Sequence, residues 1–127
     1  MYDVEERKDR IKVLFSNKWT PAQLQAHRKR LLYISHILHD EFPCPYPWKI
    51  IQTNKIYYRD YGGKRWPLFG CCTYIKSHIT IEINSTLPLF SKVETLLHEW
   101  AHAHNWRQPT IERVREDPHD DEFYLIL

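Results

Sequence analysis

Leu96-Leu97-His98-Glu99-Trp100-Ala101-His102-Ala103-His104 is the stretch on which the reading of this 127-residue chain turns. Val93, Leu96, Leu97, Trp100, Ala101 and His104 recur at helical spacing and form one wide apolar stripe. Residues four apart on a helix share a face, so His98 and His102 can aim two imidazoles at one point while Glu99 stands beside them. This H-E-x-x-H spacing is that of a Zn²⁺ site in which two histidines hold the ion and the glutamate serves as base. Ser91-Lys92-Val93-Glu94 reads as a capping box and predicts a helix from about Lys92 to Asn105, ended by the polar stretch before Pro109. Glu94, His98, Glu99 and His102 then form a polar stripe along the border of the apolar side, at the edge of a cleft.

A catalytic zinc takes three protein ligands and keeps a fourth position for water. Beyond the helix, Asp117-Pro118-His119-Asp120-Asp121-Glu122 leads into the apolar run Phe123 to Leu127. His119 is the expected third ligand, at the mouth of a short C-terminal helix whose acidic first turn suits the helix dipole. His104, two residues from His102, points to another side of its helix. A metzincin ligand set would need glycine and histidine where this chain has Asn105 and Gln108, whereas a gluzincin set would draw on Glu112 or Glu116. A fourth protein ligand such as Asp117 would close the site and make the zinc structural.

Upstream, Thr20-Pro21-Ala22-Gln23 is a capping box with proline at the first helical position, and it opens a scaffold helix ending near Asp40 or Glu41. Leu24, Leu31, Ile34, Ile37 and Leu38 form its expected buried stripe, and Pro43, Pro45 and Pro47 forbid continuation. His36 and His39 read as a polar edge of that helix rather than as a metal site. Strands are expected at Trp48 to Gln52, Lys55 to Arg59, Trp66 to Ile75 and His78 to Asn84, with Gly62-Gly63 as a tight turn. In the last of these, Ile79, Ile81 and Ile83 point inward against outward Thr80 and Glu82. Helix, antiparallel strands, motif helix and returning segment make an α+β domain across residues 1–127, with 1–19 as an N-terminal extension.

The formal net charge of +2 gives no overall bias toward nucleic acid. Met1 to Arg10 is dense in charge and lacks a signal peptide's apolar run, and no stretch is apolar enough to span a bilayer, so a soluble cytoplasmic protein is expected. The three cysteines, two of them adjacent at Cys71 and Cys72, suit free thiols better than a disulfide framework. From Lys55 to Trp66, basic and aromatic residues interleave around the glycine turn, a composition suited either to single-stranded DNA or to a hairpin with one aromatic face buried.

With these residues in place, the chain resembles the SprT-like metalloprotease family. The resemblance rests on the His98-Glu99-Trp100-Ala101-His102 helix, the aromatic Trp106 shortly after it, and His119 ahead of Phe123. Gly70-Cys71-Cys72 and the strand Ile79 to Asn84 are similar to the glycine-plus-strand segment that precedes the family's helix. The small size and the wording of the motif are most similar to short bacteriophage members, which would place the chain in a host cytoplasm.

The resemblance implies a zincin-like fold with a small antiparallel-rich sheet. It implies Zn²⁺ on His98, His102 and His119, Glu99 as general base, a protein substrate lying along the strand Ile79 to Asn84 or its neighbour, and action on DNA-bound proteins. Tyr124 or His104 would stabilise the oxyanion. Asp120 departs from the glycine usual after the third histidine, and the cysteines of a C-terminal zinc ribbon are missing. The expected function is a zinc-dependent endopeptidase; the alternative is a non-catalytic protein that uses the same fold to dock a host or nucleoprotein partner.

Overall fold

Thr20 starts the first helix as expected. Its hydroxyl accepts the Gln23 N–H at 3.2 Å, and the Gln23 side chain accepts the Thr20 N–H at 2.8 Å. Residues 15–106 are described by the computed structural model, apart from the side chain of Tyr61; His119, Asp117, Glu112, Glu116, Tyr124 and the expected C-terminal helix lie outside them. Helix α1 spans Pro21–Glu41 and stops at Phe42, before the three prolines. Leu31 and Leu38 are buried as expected, but Ile37 is 47% exposed, and His27 and Ser35 take buried places instead. Successive helical positions differ by about 100°, so Ile37 falls off the line His27, Leu31, Ser35 and Leu38 that faces the core.

Five strands follow: β1 (Trp48–Thr53), β2 (Tyr57–Tyr61), β3 (Lys64–Leu68), β4 (Gly70–Ile75) and β5 (His78–Asn84). The expected strand Trp66 to Ile75 is broken at Phe69, and its two parts belong to different sheets. β2 and β3 pair antiparallel as a separate ribbon, while the main sheet has the order β1-β5-β4. β4 is antiparallel to β5, but β1 is parallel to it, from Trp48 opposite Ile79 to Thr53 opposite Asn84. Two of the three strand pairs are thus antiparallel, as an antiparallel-rich sheet requires, and the parallel pairing of β1 is the departure from the expected antiparallel strands. A parallel pair needs a long crossover, which the ribbon and β4 supply.

As the central strand, β5 has the predicted alternation: Ile79, Ile81 and Ile83 are fully buried, with Thr80 and Glu82 on the other face. The β4 register places Gly70, Cys72 and Tyr74 on the isoleucine face and Cys71 with Glu82 on the opposite one. Both helices cover the isoleucine face, enclosing Leu31, Leu38, Ile50, Leu87, Leu96 and Trp100. Two-residue turns close the hairpins, Gly62-Gly63 at φ 59° and 75° and Lys76-Ser77 at φ 52° and 66°. Paired positive φ values match the primed turn that fits the twist of antiparallel strands.

Helix α2 spans Leu89–His104 and begins one turn earlier than predicted. Pro88 is its N-cap, its carbonyl accepting the Lys92 N–H at 2.9 Å, so Ser91 lies inside the helix and its carbonyl accepts the Thr95 hydroxyl at 2.7 Å. The expected capping box at Ser91 and Glu94 therefore does not form. The buried stripe runs through Lys92, Thr95, Leu96, Glu99, Trp100 and Ala103, a 3-1 spacing that follows the helical period. Val93, Leu97 and His104 are only half-buried. Among the described residues, no helix is long and apolar enough to cross a membrane.

Candidate metal centre

The rotation of α2 is fixed by the proline-rich loop between α1 and β1. The Trp100 indole N–H donates to the Phe42 carbonyl at 2.8 Å, and His104 Nδ1 donates to the Pro43 carbonyl at 2.8 Å. The Trp100 ring also meets Trp48 edge-on, with centroids 5.0 Å apart. Trp100 and His104 lie about 200° around the helix from His98 and His102, so the loop's grip turns the two motif histidines to the opposite side. That engagement removes His104 as an oxyanion donor near the motif; Tyr124, the other candidate, is outside the described residues.

The potential ligand atoms of His98, Glu99 and His102 all lie within 4.8 Å of one another. The two imidazoles meet at 74° with centroids 5.0 Å apart, and His98 Nε2 is 4.0 Å from Glu99 Oε1. Nitrogens bound at about 2 Å to one zinc ion are roughly 3–4 Å apart, which this spacing accommodates. Two imidazoles and a carboxylate are a donor set suited to zinc. Among the described residues this is the one cluster of three metal-binding side chains.

The three residues differ in depth. The His98 side chain is 46% exposed, while Glu99 is buried beneath it at 6% rather than at the polar border of the helix. Burial pushes the Glu99 carboxyl up to about 7, because a desolvated carboxylate resists ionisation. A divalent cation at the two imidazoles would favour its ionised form. On β4, burial first, and then the Glu99 charge, push the Cys72 thiol up. Cys71 is pushed up to about 12 by burial and by its hydrogen bond to Glu82 at 3.3 Å, with smaller contributions that include Glu99. Both thiols therefore stay protonated, and all three cysteines are free.

His36 and His39 are scaffold residues, as the sequence suggested. Both rings pack against Trp48, and His39 Nδ1 accepts the Cys44 N–H at 3.1 Å.

Sequence reading missed a buried polar cluster two turns before the triad. Lys92 Nζ lies 2.8 Å from His27 Nδ1 and 2.6 Å from Gln52 Oε1, while the Trp19 and His27 rings meet at 72° with centroids 4.9 Å apart. The available signal was position: Lys92 stands seven residues before Glu99, on the same helical line. A groove of about 700 Å³ also runs between α1 and β1, lined by Leu24, Arg28, Leu32 and Ile51 among others, and shares no residue with the triad. Shape without converging reactive groups makes it a weaker candidate than the small histidine cluster. Comparison with known protein families, curated proteins and solved structures finds no match for this chain.

Proposed function

We propose that the chain is a zinc-dependent endopeptidase of zincin type, similar to the SprT-like metalloproteases, with His98, His102 and His119 as ligands and Glu99 as general base. The observation that carries this reading is the triad itself: two imidazoles turned to one side of α2 with a buried glutamate between them. When bound there, zinc would supply a Lewis acid and a water of lowered pKa. Glu99 would take the proton from the attacking water and deliver it to the leaving amine nitrogen.

The substrate chain would lie extended along the edge of β4, which borders α2, and pair with its main chain. β5 is excluded from that role because both its edges are used by β1 and β4. Proteins bound to DNA are the proposed substrate class.

The test is cleavage of an unfolded protein, free and tethered to DNA, by the zinc-loaded chain and by Glu99→Gln. Removing a positioned general base should slow hydrolysis by about 100- to 10,000-fold while zinc stays bound. Equal rates in the two proteins would overturn the assignment of Glu99. Zinc binding without cleavage of either substrate would favour a docking protein built on the same fold.

A further inference from the structure

We propose that the β2–β3 ribbon is a contact surface for single-stranded nucleic acid, separate from the metal centre. Between Lys55 and Trp66 the chain carries four cations, Lys55, Arg59, Lys64 and Arg65, against one carboxylate, Asp60. This local excess is larger than the net charge of +2 of the entire sequence. All four cations are exposed.

The ribbon has few contacts with the other elements. It is moored at its base, where the Tyr57 hydroxyl donates to Glu82 Oε2 at 2.6 Å on the outer face of β5. Beyond that mooring, the ribbon ends in the primed turn at Gly62-Gly63. The register sets Arg59 opposite Trp66 and Tyr61 opposite Lys64, with Asp60 opposite Arg65 and Tyr58 opposite Pro67. One face therefore holds Arg59, Lys64 and the half-buried Trp66. The other holds Asp60, Arg65 and Tyr58, which is 47% exposed and has the Arg65 guanidinium 4.4 Å from its ring centroid.

These features select among anionic partners. An acidic peptide would meet the cations but leave the exposed tyrosine–guanidinium pair without a planar partner. A duplex would present phosphates while keeping its bases stacked inside. A single strand offers phosphates for the cations together with free base faces for Tyr58 and Arg65. Neutralising two phosphates, as the paired cations of one face could, gives a salt slope of about −1.4, or roughly 7-fold weaker binding between 50 and 200 mM salt.

The experiment is fluorescence anisotropy of a labelled thymidine oligonucleotide over a salt series with the full chain. Lys64→Ala/Arg65→Ala, Tyr58→Ala and Lys55→Gln/Arg59→Gln are compared with Lys29→Ala/Arg30→Ala, which removes the same charge from the exposed side of α1. Each variant is first shown to melt as the parent does. The expected result is salt-dependent binding that weakens at least about ten-fold in each paired ribbon variant, with the salt slope roughly halved. Tyr58→Ala should lose roughly ten-fold through stacking, and the helix variant should stay within about two-fold of the parent. Competition by a uridine RNA strand as well as by thymidine DNA supports the proposal, since the chemistry is shared. Absence of binding, equal loss in the helix variant, or equal competition by polyphosphate with no effect of Tyr58→Ala would overturn it.

Discussion

Lys92 Nζ and His27 Nδ1 lie 2.8 Å apart in the interior, where the ammonium must be the donor and the imidazole the acceptor. With Gln52 Oε1 as a second acceptor, this contact ties α2 to α1 and β1 at the end of α2 remote from the metal centre. Gln52 is in turn held by the Leu24 carbonyl at 3.0 Å, and the Lys92 ammonium lies 5.9 Å from the Trp19 ring.

This contact predicts two pH windows. Burial, and then the Lys92 charge, lower His27 below 6.5, so the unfolded chain takes up a proton there before the folded one does. Stability is therefore full above that value and falls as the pH drops through it. Burial lowers Lys92 from 10.5 to about 8, so between these values the unfolded chain holds a proton that the folded one has released. Stability accordingly rises as the pH climbs through that interval, by about 3 kcal/mol at most given about 1.4 kcal/mol per pH unit. Thermal melts across pH should show both limbs, the acid one flattened by His27→Gln and the alkaline one by Lys92→Met. An unchanged acid limb in His27→Gln would refute the role of that histidine.

Gly70 lets α2 approach the sheet. A Cβ at this position would collide with the Glu82 carbonyl oxygen and come within 2.7 Å of Thr95 Cγ2. Gly70→Ala should destabilise the fold by about 1–3 kcal/mol, since overpacking moves backbone as well as side chains. A melting temperature equal to the parent's would show that the helix–sheet spacing is looser than described.

The Lys76-Ser77 turn holds two side-chain-bearing residues at positive φ, where the backbone favours asparagine and glycine. Lys76→Asn/Ser77→Gly should raise stability by about 1 kcal/mol without touching the core. Chemical denaturation would detect this as a higher midpoint at unchanged slope; a lower midpoint would contradict it.

Much of this architecture was legible because it is local. The Thr20 and Gln23 capping box, the isoleucine alternation of β5 and the spacing of His98 and His102 each depend on residues within a few positions of one another. The parallel pairing of β1 with β5 was not legible, because a strand's composition does not state which partner it takes or in which direction. The start of α2 was misplaced because Pro88 opens the helix before the hydroxyl of Ser91 can cap it. A separate error arose from reading the stripe on apolar residues alone, which set the buried side of α2 about one residue off, put Glu99 on a polar border and overlooked Lys92, although both occupy interior positions. Charged residues at core positions break the usual patterning, and only tertiary partners such as His27 and Gln52 make sense of Lys92.

The two motif histidines and Glu99 should separate in their effects. His98→Ala or His102→Ala removes a ligand and should abolish both metal binding and hydrolysis, whereas Glu99→Gln should abolish hydrolysis alone. Metal titration followed by a proteolysis assay on the same samples distinguishes the two classes. Loss of metal in Glu99→Gln would make Glu99 a ligand and leave the base unfilled.

The most direct measurement is the zinc content of the purified chain by elemental analysis, beside His98→Ala/His102→Ala and His119→Ala. About one zinc per chain is expected, absent from the double variant and lost or sharply weakened in His119→Ala, as three protein ligands require. A folded parent chain that binds no zinc, or zinc retained when both motif histidines are gone, would contradict that expectation.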